Sequence, residues 1–298
     1  MMHNSADGKA FFSRQELALI GITLLWGATF LIVHIAVAYS GPLFFVGLRF
    51  VTAGLLSLLF FRKAVRRMTR TELLAGSAIG VTIFLGYALQ TYGLQTVNSS
   101  TSAFLTALYV PMVPLLQWAF LRRRPKAMTW AGVVLAFLGL VLLAGPEALH
   151  LGLGTGEIAT LLSAAAIACE ILLIGRFAGQ VDSSRITVVQ LLVGGMLSFA
   201  AMPVAGEAIP SFSWIWLTAA IGLGAASAVI QLTMNWAQKS VSPARATIIY
   251  ASEPVWAGLV GRIAGDRLPA LAVLGGALIV AGVVVSELKP RRPDLDGR

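Results

Sequence analysis

Three ionisable side chains lie inside stretches that are otherwise apolar: Arg49 in FVGLRFVTAG, Glu170 in AIACEILLIG and Glu253 in IIYASEPVWAG. A charge at the centre of a membrane helix costs about 2.5–3.5 kcal/mol on insertion scales, so it faces protein or water and serves in pairing, binding or proton transfer. Pro254 follows Glu253 directly, and Tyr250 precedes it by three residues. The proline removes a backbone donor and loosens a helix at the level of the carboxylate. Glu170 permits three roles: proton carrier, partner of a substrate ammonium, or member of a salt bridge. Arg49 reads as a structural charge, paired with a carboxylate or backbone carbonyls, ahead of substrate contact. His34, which titrates near neutral pH when unperturbed, reads first as a hydrogen-bonded wall residue. With Glu170 and Glu253 it would permit proton exchange.

Uncharged polar groups gather around these charges by helical spacing, since residues three and four apart share a face. The clearest set is Ser227, Gln231, Asn235 and Gln238, a polar stripe along an apolar helix. Tyr87, Gln90 and Thr91 form a second set, and Asn98, Ser102 and Tyr109 a third. Ser163 with Glu170, and Thr247 with Tyr250 and Glu253, form two more. Trp26 and Thr29 share one face of the first apolar run, with Thr23 and His34 on another. These are groups that bind; nothing among them is arranged to react. The three histidines (His3, His34, His150) are dispersed and Cys169 is alone, so no zinc set is expected. LGLGTGE lacks the dinucleotide-binding spacing, and there is no Walker motif,. The expectation is therefore a protein without cofactor, metal or enzymatic activity.

The elements that must position these groups are transmembrane helices. The chain is 57% hydrophobic and 12% charged, about half the charged share of a soluble protein. Ten apolar runs reach bilayer-crossing length (about 20 residues), near 17–38, 42–61, 72–92, 99–120, 128–145, 157–177, 185–204, 213–237, 244–262 and 270–287. The first run is too long for a cleaved signal peptide and is read as retained. A disordered cytoplasmic leader (1–15) precedes two repeats (16–145 and 155–288), and a cytoplasmic tail (289–298) follows. The net charge of +9 does not point to nucleic acid: with ten spans and an inside N-terminus, 19 of the 22 Lys and Arg fall on the inner side. That bias predicts cytoplasmic termini. Trp214 and Trp216, at the start of a span, suggest an interfacial belt.

The spans repeat. Pro111 precedes Pro254 by 143 residues, and the same offset links Gly132 to Gly275 and Gly139 to Gly282. An offset of 141 sets Gln190 opposite Arg49. Both prolines are expected to break their helices. Five spans precede the 146–154 loop and five follow, so the second copy enters the membrane from the opposite side. Inverted repeats of this kind are the architecture of alternating-access carriers, with the substrate site near the midplane between halves. The polar sets predict that spans 1, 3, 4, 6, 8 and 9 surround a wet cavity and that spans 2, 5, 7 and 10 buttress it. Small-residue pairs such as Gly76 and Gly80 predict close helix packing.

The chain resembles the drug/metabolite transporter superfamily, specifically the ten-helix exporters with two EamA-type repeats. The resemblance rests on LLWGATF at 24–30, GLRF at 47–50, ALYVPMVPLL at 107–116 and GVVLAFLGLVLL at 132–143. In the second half it rests on ASEPVWAGLVGRIAGDRL at 251–268 and GGALIVAGVVV at 275–285. It covers about residues 16–288. It departs where such chains often carry Gly-Glu after each repeat's fourth helix: here LRRRP stands in the first copy and GDRL, with Asp266, in the second. The resemblance implies an all-α membrane protein that exports small metabolites, often amino acids, across a bacterial inner membrane. An amphipathic site offering amide, hydroxyl and aromatic groups beside one or two carboxylates suits a zwitterion, so amino acids are the favoured substrate. Drugs, nucleotide sugars and lipids are the alternatives within the superfamily, and a passive selective channel the alternative from another class. Monomer and homodimer are both compatible with the sequence.

Overall fold

The computed structural model describes residues 12–97, 99–122, 124–144, 154–253, 255–256, 259 and 270–287. Their helices are α1 (Arg14–Val37), α2 (Pro42–Val65), α3 (Arg70–Gly93), α4 (Ser99–Ala107), α5 (Tyr109–Leu121), α6 (Ala127–Ala144), α7 (Thr155–Phe177), α8 (Ser183–Ala205), α9 (Trp214–Ala237), α10 (Pro243–Tyr250) and α11 (Ala270–Glu287). No strand occurs among the described residues. Five of these helices (α2, α3, α7, α8 and α9) are long and apolar enough to cross a bilayer. At 1.5 Å per residue their 23–24 residues span about 35 Å,. The chain is an all-α integral membrane protein of ten spans in two inverted five-helix repeats, and, apart from the break inside span 4 and the end of α10 at Tyr250, each described helix end lies within four residues of the span predicted from hydropathy.

Local chemistry explains where the helices start. Ser13 and Glu16 form a capping box at α1, and Thr69 and Glu72 form another at α3; in each, the side chains reciprocally satisfy backbone donors that the first turn leaves open. Asp182, Ser213 and Ser242 cap α8, α9 and α10 in the same sense. No side chain of its own caps α2. It starts on Pro42, and Glu207, from beyond α8, accepts from Leu43 N at 3.0 Å and Phe44 N at 2.7 Å.

Two spans are interrupted. Span 4 is divided at Leu108 into α4 and α5, because Pro111 has no N–H to offer the Ala107 carbonyl. Leu108 N instead bonds Leu105 O at 3.2 Å, a tighter turn. Span 9 stops at Tyr250 and turns through Ala251 and Ser252, with Ser252 N on Ile249 O at 3.0 Å. Ala251 is the repeat mate of Leu108 by the 143-residue offset, so the two breaks occupy equivalent positions. Pro254 itself lies outside the described residues, as do Asp266 and the stretch around it.

Packing follows the repeat. The most extensive contacts join α6 to α11 and α2 to α8, each helix to its own mate. Contacts of α3 with α7 are mirrored by α9 with α1, and those of α3 with α8 by α9 with α2. A Cβ on Gly132 of α6 would sit 2.7 Å from the Gly282 carbonyl oxygen of α11, and one on Gly282 would sit 2.7 Å from the Gly132 oxygen. One on Gly139 would sit 2.5 Å from the Gly275 oxygen. Each glycine thus meets the mate of the other, the reciprocity that a two-fold axis imposes on a contact. Gly76 and Gly80 of α3 pack against Val189 and Val193 of α8, which answers the expectation of close approach. Trp214 is exposed as an interfacial residue would be. Trp216 is not: it is buried and donates its indole N–H to Ser211 O at 3.1 Å.

Candidate functional site

The polar groups converge where the repeats meet. Arg49 stands two turns into α2 and is only 4% exposed. Its Nε donates to the Ser227 hydroxyl of α9 at 2.7 Å. The guanidinium carbon lies 5.4 Å from the ring centre of Phe50 and 5.3 Å from that of Tyr87 on α3, within cation–π range. Its Nη2 is buried without a hydrogen-bond partner. Glu253, just past the break in span 9, is buried and within electrostatic reach of Arg49, Tyr87 and Tyr109. No ion pair within 4.0 Å joins Arg49 to a carboxylate among the described residues. The expected structural pair therefore gives way to a hydroxyl and two aromatic faces, because the nearest acid sits too far off to close the contact.

Beside Arg49 and Glu253 runs a hydrogen-bonded chain. Glu170 of α7 accepts from Gln231 Nε2 at 2.8 Å, and Gln231 Oε1 accepts from Gln190 Nε2 of α8 at 2.6 Å. Asn235 donates to Gln190 Oε1 at 3.1 Å and to the Thr187 hydroxyl at 2.8 Å. The next stripe member, Gln238, donates to the Tyr250 hydroxyl at 3.4 Å. All four stripe residues on α9 are buried, and each is spent on another helix rather than on open water. Such a network is stable only when its members are satisfied together.

The other expected residues take defined places. Trp26 packs edge-on to Tyr250 with centroids 6.0 Å apart, and Thr29 bonds back to Trp26 O at 2.8 Å. Thr23 on the same helix contacts Ser252 Oγ at 3.1 Å and accepts from Trp256 Nε1 at 3.0 Å, tying α1 to the broken span. Gln90 turns toward α4 and donates to the Thr106 hydroxyl at 3.1 Å. Ser102 and Tyr109 are buried, and Tyr109 lies within electrostatic reach of Tyr87 and Tyr250. The buried Ser163 hydroxyl has no hydrogen-bond partner. Pro111 is half-buried at the start of α5. The side chain of His34, Asn98 and Pro254 lie outside the described residues.

The expected division of labour needs correcting. Spans 2 and 7 do not merely buttress: α2 brings Arg49 and α8 brings Gln190 and Thr187 into the polar centre. Thr187 shares its face of α8 with Ser183 and Gln190, a spacing the sequence reading passed over, and its partner Asn235 lies 48 residues on. The polar centre is closed, with these side chains buried. A separate cleft of about 560 Å³ opens between α1 and α9, lined by apolar residues such as Leu25, Ile32 and Ile215 with the hydroxyls of Thr29 and Thr218. Among the described residues no cluster of histidine, cysteine and acid is placed to hold a metal.

The EamA-like transporter family model matches the chain twice, over residues 14–145 and 154–288. An uncharacterized transporter of Archaeoglobus fulgidus is 26% identical over 275 residues, 92% of this chain and 86% of that protein. The uncharacterized inner membrane transporter YedA of Escherichia coli K12 is 27% identical over 288 residues, covering 91% and 90% of the two chains. A solved crystal structure, 21% identical, superposes with a TM-score of 0.77 over 94% of this chain and 99% of that one, a likeness of fold. The two matches meet at the connection between α6 and α7, so each copy comprises five of the spans described above. This chain is a membrane transporter and belongs to the EamA-like transporter family.

Proposed function

We propose that this transporter exports small zwitterionic metabolites, amino acids foremost, by alternating access about the polar centre between its repeats. The observation that carries the reading is the charge set at that centre: one buried arginine and two buried carboxylates, Glu170 and Glu253, among hydroxyl, amide and aromatic groups. A nucleotide sugar carries phosphates and calls for more cationic groups than Arg49 supplies. We further propose a bacterial inner membrane location with both termini in the cytoplasm, from the positive-inside bias. Glu253 is our candidate for proton coupling. The charged and titratable groups facing it are Arg49 from α2, Tyr87 from α3 and Tyr109 from α5.

The test is efflux from proteoliposomes loaded with a mixed pool of labelled amino acids, with and without an imposed pH gradient, for wild type and Glu253→Gln. Saturable efflux with counterflow supports the carrier, and a gradient effect lost in the variant supports coupling at Glu253. Flux without saturation or counterflow would indicate a channel. If no amino acid moves, the substrate assignment falls, and drugs, lipids and nucleotide sugars are tried in its place.

A further inference from the structure

We propose that Arg49 is the anchor for a substrate carboxylate and that Glu253 receives the substrate's cationic end. The proposal rests on the carrier reading above and names the recognition elements of its site.

The argument starts from what Arg49 lacks. A guanidinium has five N–H donors in a fixed fork. Ser227 accepts from Nε, while Nη2 is buried and bonded to nothing. A buried charge without a counter-ion is expensive, and a chain that needed Arg49 only for packing would gain by closing it onto an acid. Two acids are at hand and neither does so. Glu170 is held instead by Gln231, one turn along the stripe from Ser227. Glu253 lies within electrostatic reach of Arg49 but forms no ion pair with it, and accepts no hydrogen bond among the described residues. A guanidinium and a carboxyl group thus lie within electrostatic reach of each other, both buried and both incompletely partnered.

The surroundings hold that arrangement in place. The Ser227 bond and the faces of Phe50 and Tyr87 fix the plane of the guanidinium, and the rings of Phe50 and Tyr87 are themselves locked edge to face at 4.8 Å. A planar fork with free donors matches a carboxylate. Glu253 stands at the break in span 9, where the backbone turns through Ala251 and Ser252. A ligand joining the two charges would bridge the first repeat to the second, so its binding and release would be coupled to their relative movement.

The experiment measures binding by thermal stabilisation of the purified full-length transporter. Probes are leucine, leucinamide and 2-hydroxyisocaproate, with the same three forms of several polar amino acids. They share side chains and differ only in the carboxylate or the ammonium. Wild type is expected to bind acids at least about 30-fold more tightly than amides, the lower end of what losing one member of a buried charge pair costs. Arg49→Gln should bring that ratio close to one, whereas Glu253→Gln should abolish only the preference for amino over hydroxy acids. Arg49→Lys keeps the charge without the fork and should fall between. Equal binding of acids and amides by wild type, which needs no variant to fold, overturns the proposal. Equal weakening of both by Arg49→Gln does so too. If hydroxy acids bind through Arg49 while no amino acid binds, the anchor stands and the amino-acid reading fails. If no carboxylate in either set binds, both fail.

Discussion

Alanine at Gly132 tests the α6–α11 seam at its tightest point. Its methyl carbon would lie 2.7 Å from the Gly282 carbonyl oxygen, 2.8 Å from Ser286 Cβ and 3.3 Å from Ile248 Cδ1, where ordinary contact begins at 3.4 Å. Only the isoleucine tip can swing aside. The backbone oxygen cannot, so α11 must retreat by several tenths of an ångström, and a gap of 0.5–1 Å forfeits about a quarter to a half of each dispersion well along the seam. Overpacking of this kind costs about 1–3 kcal/mol. Replacing glycine in a helix returns about 0.8–1.0 kcal/mol of propensity, so the net loss is about 0–2 kcal/mol. Gly21→Ala provides the reference, because no heavy atom lies within 4 Å of its added carbon and only the propensity gain applies. The difference between the two melting temperatures in one detergent isolates the contact. Gly282→Ala should cost a similar amount, its methyl lying 2.7 Å from Gly132 O and 3.0 Å from Ala136 N. The double variant should cost less than the sum, since the gap opened by one methyl admits the other. A Gly132→Ala protein as stable as Gly21→Ala would refute the reasoning.

The remaining expectations concern polar contacts. Gln231→Leu strands Glu170 and the Gln190 amide together, at about 1–3 kcal/mol for each buried group left unpaired; a melting temperature equal to wild type would show that water replaces the amide. Glu16→Gln and Arg245→Gln, which separate the buried contact at 3.0 Å between α1 and α10, should each destabilise. A double-mutant cycle should return a coupling of about 0.5–3 kcal/mol, and strict additivity would deny the contact. Glu207→Ala removes both acceptors from the first turn of α2, a cap worth about 0.5–2 kcal/mol; faster hydrogen exchange confined to Leu43 and Phe44 is the expected signature, and unchanged exchange there the contrary one.

Helix positions were legible in the chain because the bilayer leaves each span no alternative to an apolar run, and the seam glycines were legible because the repeat spaces them identically. The polar centre was only half legible. Ser227, Gln231 and Asn235 announced themselves by sharing one face of one helix. Their partners did not: Arg49 meets Ser227 across 178 residues, and Thr187 and Gln190, a short polar pair on one face of an apolar helix, show their role only when Asn235 and Gln231 are set against them. Periodicity reports which residues share a face, but says nothing of the face opposite. The α1 start was readable and misjudged by a turn: Ser13 and Glu16 carry the capping-box spacing, yet hydropathy alone delayed the helix to Leu17.

The two classes of residue also obey the repeat differently, and the difference has a physical reason. Seam contacts must survive in both halves: Gly132 and Gly139 have Gly275 and Gly282 as mates, and the break at Leu108 has its counterpart at Ala251. Shape is therefore duplicated. Charge is not. Arg49 aligns with Gln190, and Glu253 aligns with Val110. A scaffold that opens alternately to two sides gains from equivalent halves, but a zwitterion has one cationic and one anionic end and cannot be matched by a two-fold arrangement of charges. Under the proposed carrier function, the substrate site is where the symmetry should fail, and it fails at Arg49 and Glu253. Installing the missing mates tests this directly. Gln190→Arg should destabilise, because Gln231 and Asn235 already occupy that position with hydrogen bonds at 2.6 and 3.1 Å and a guanidinium has no acceptor to offer the Asn235 amide. A Gln190→Arg transporter that folds and carries substrate as well as wild type would mean that the asymmetry is incidental.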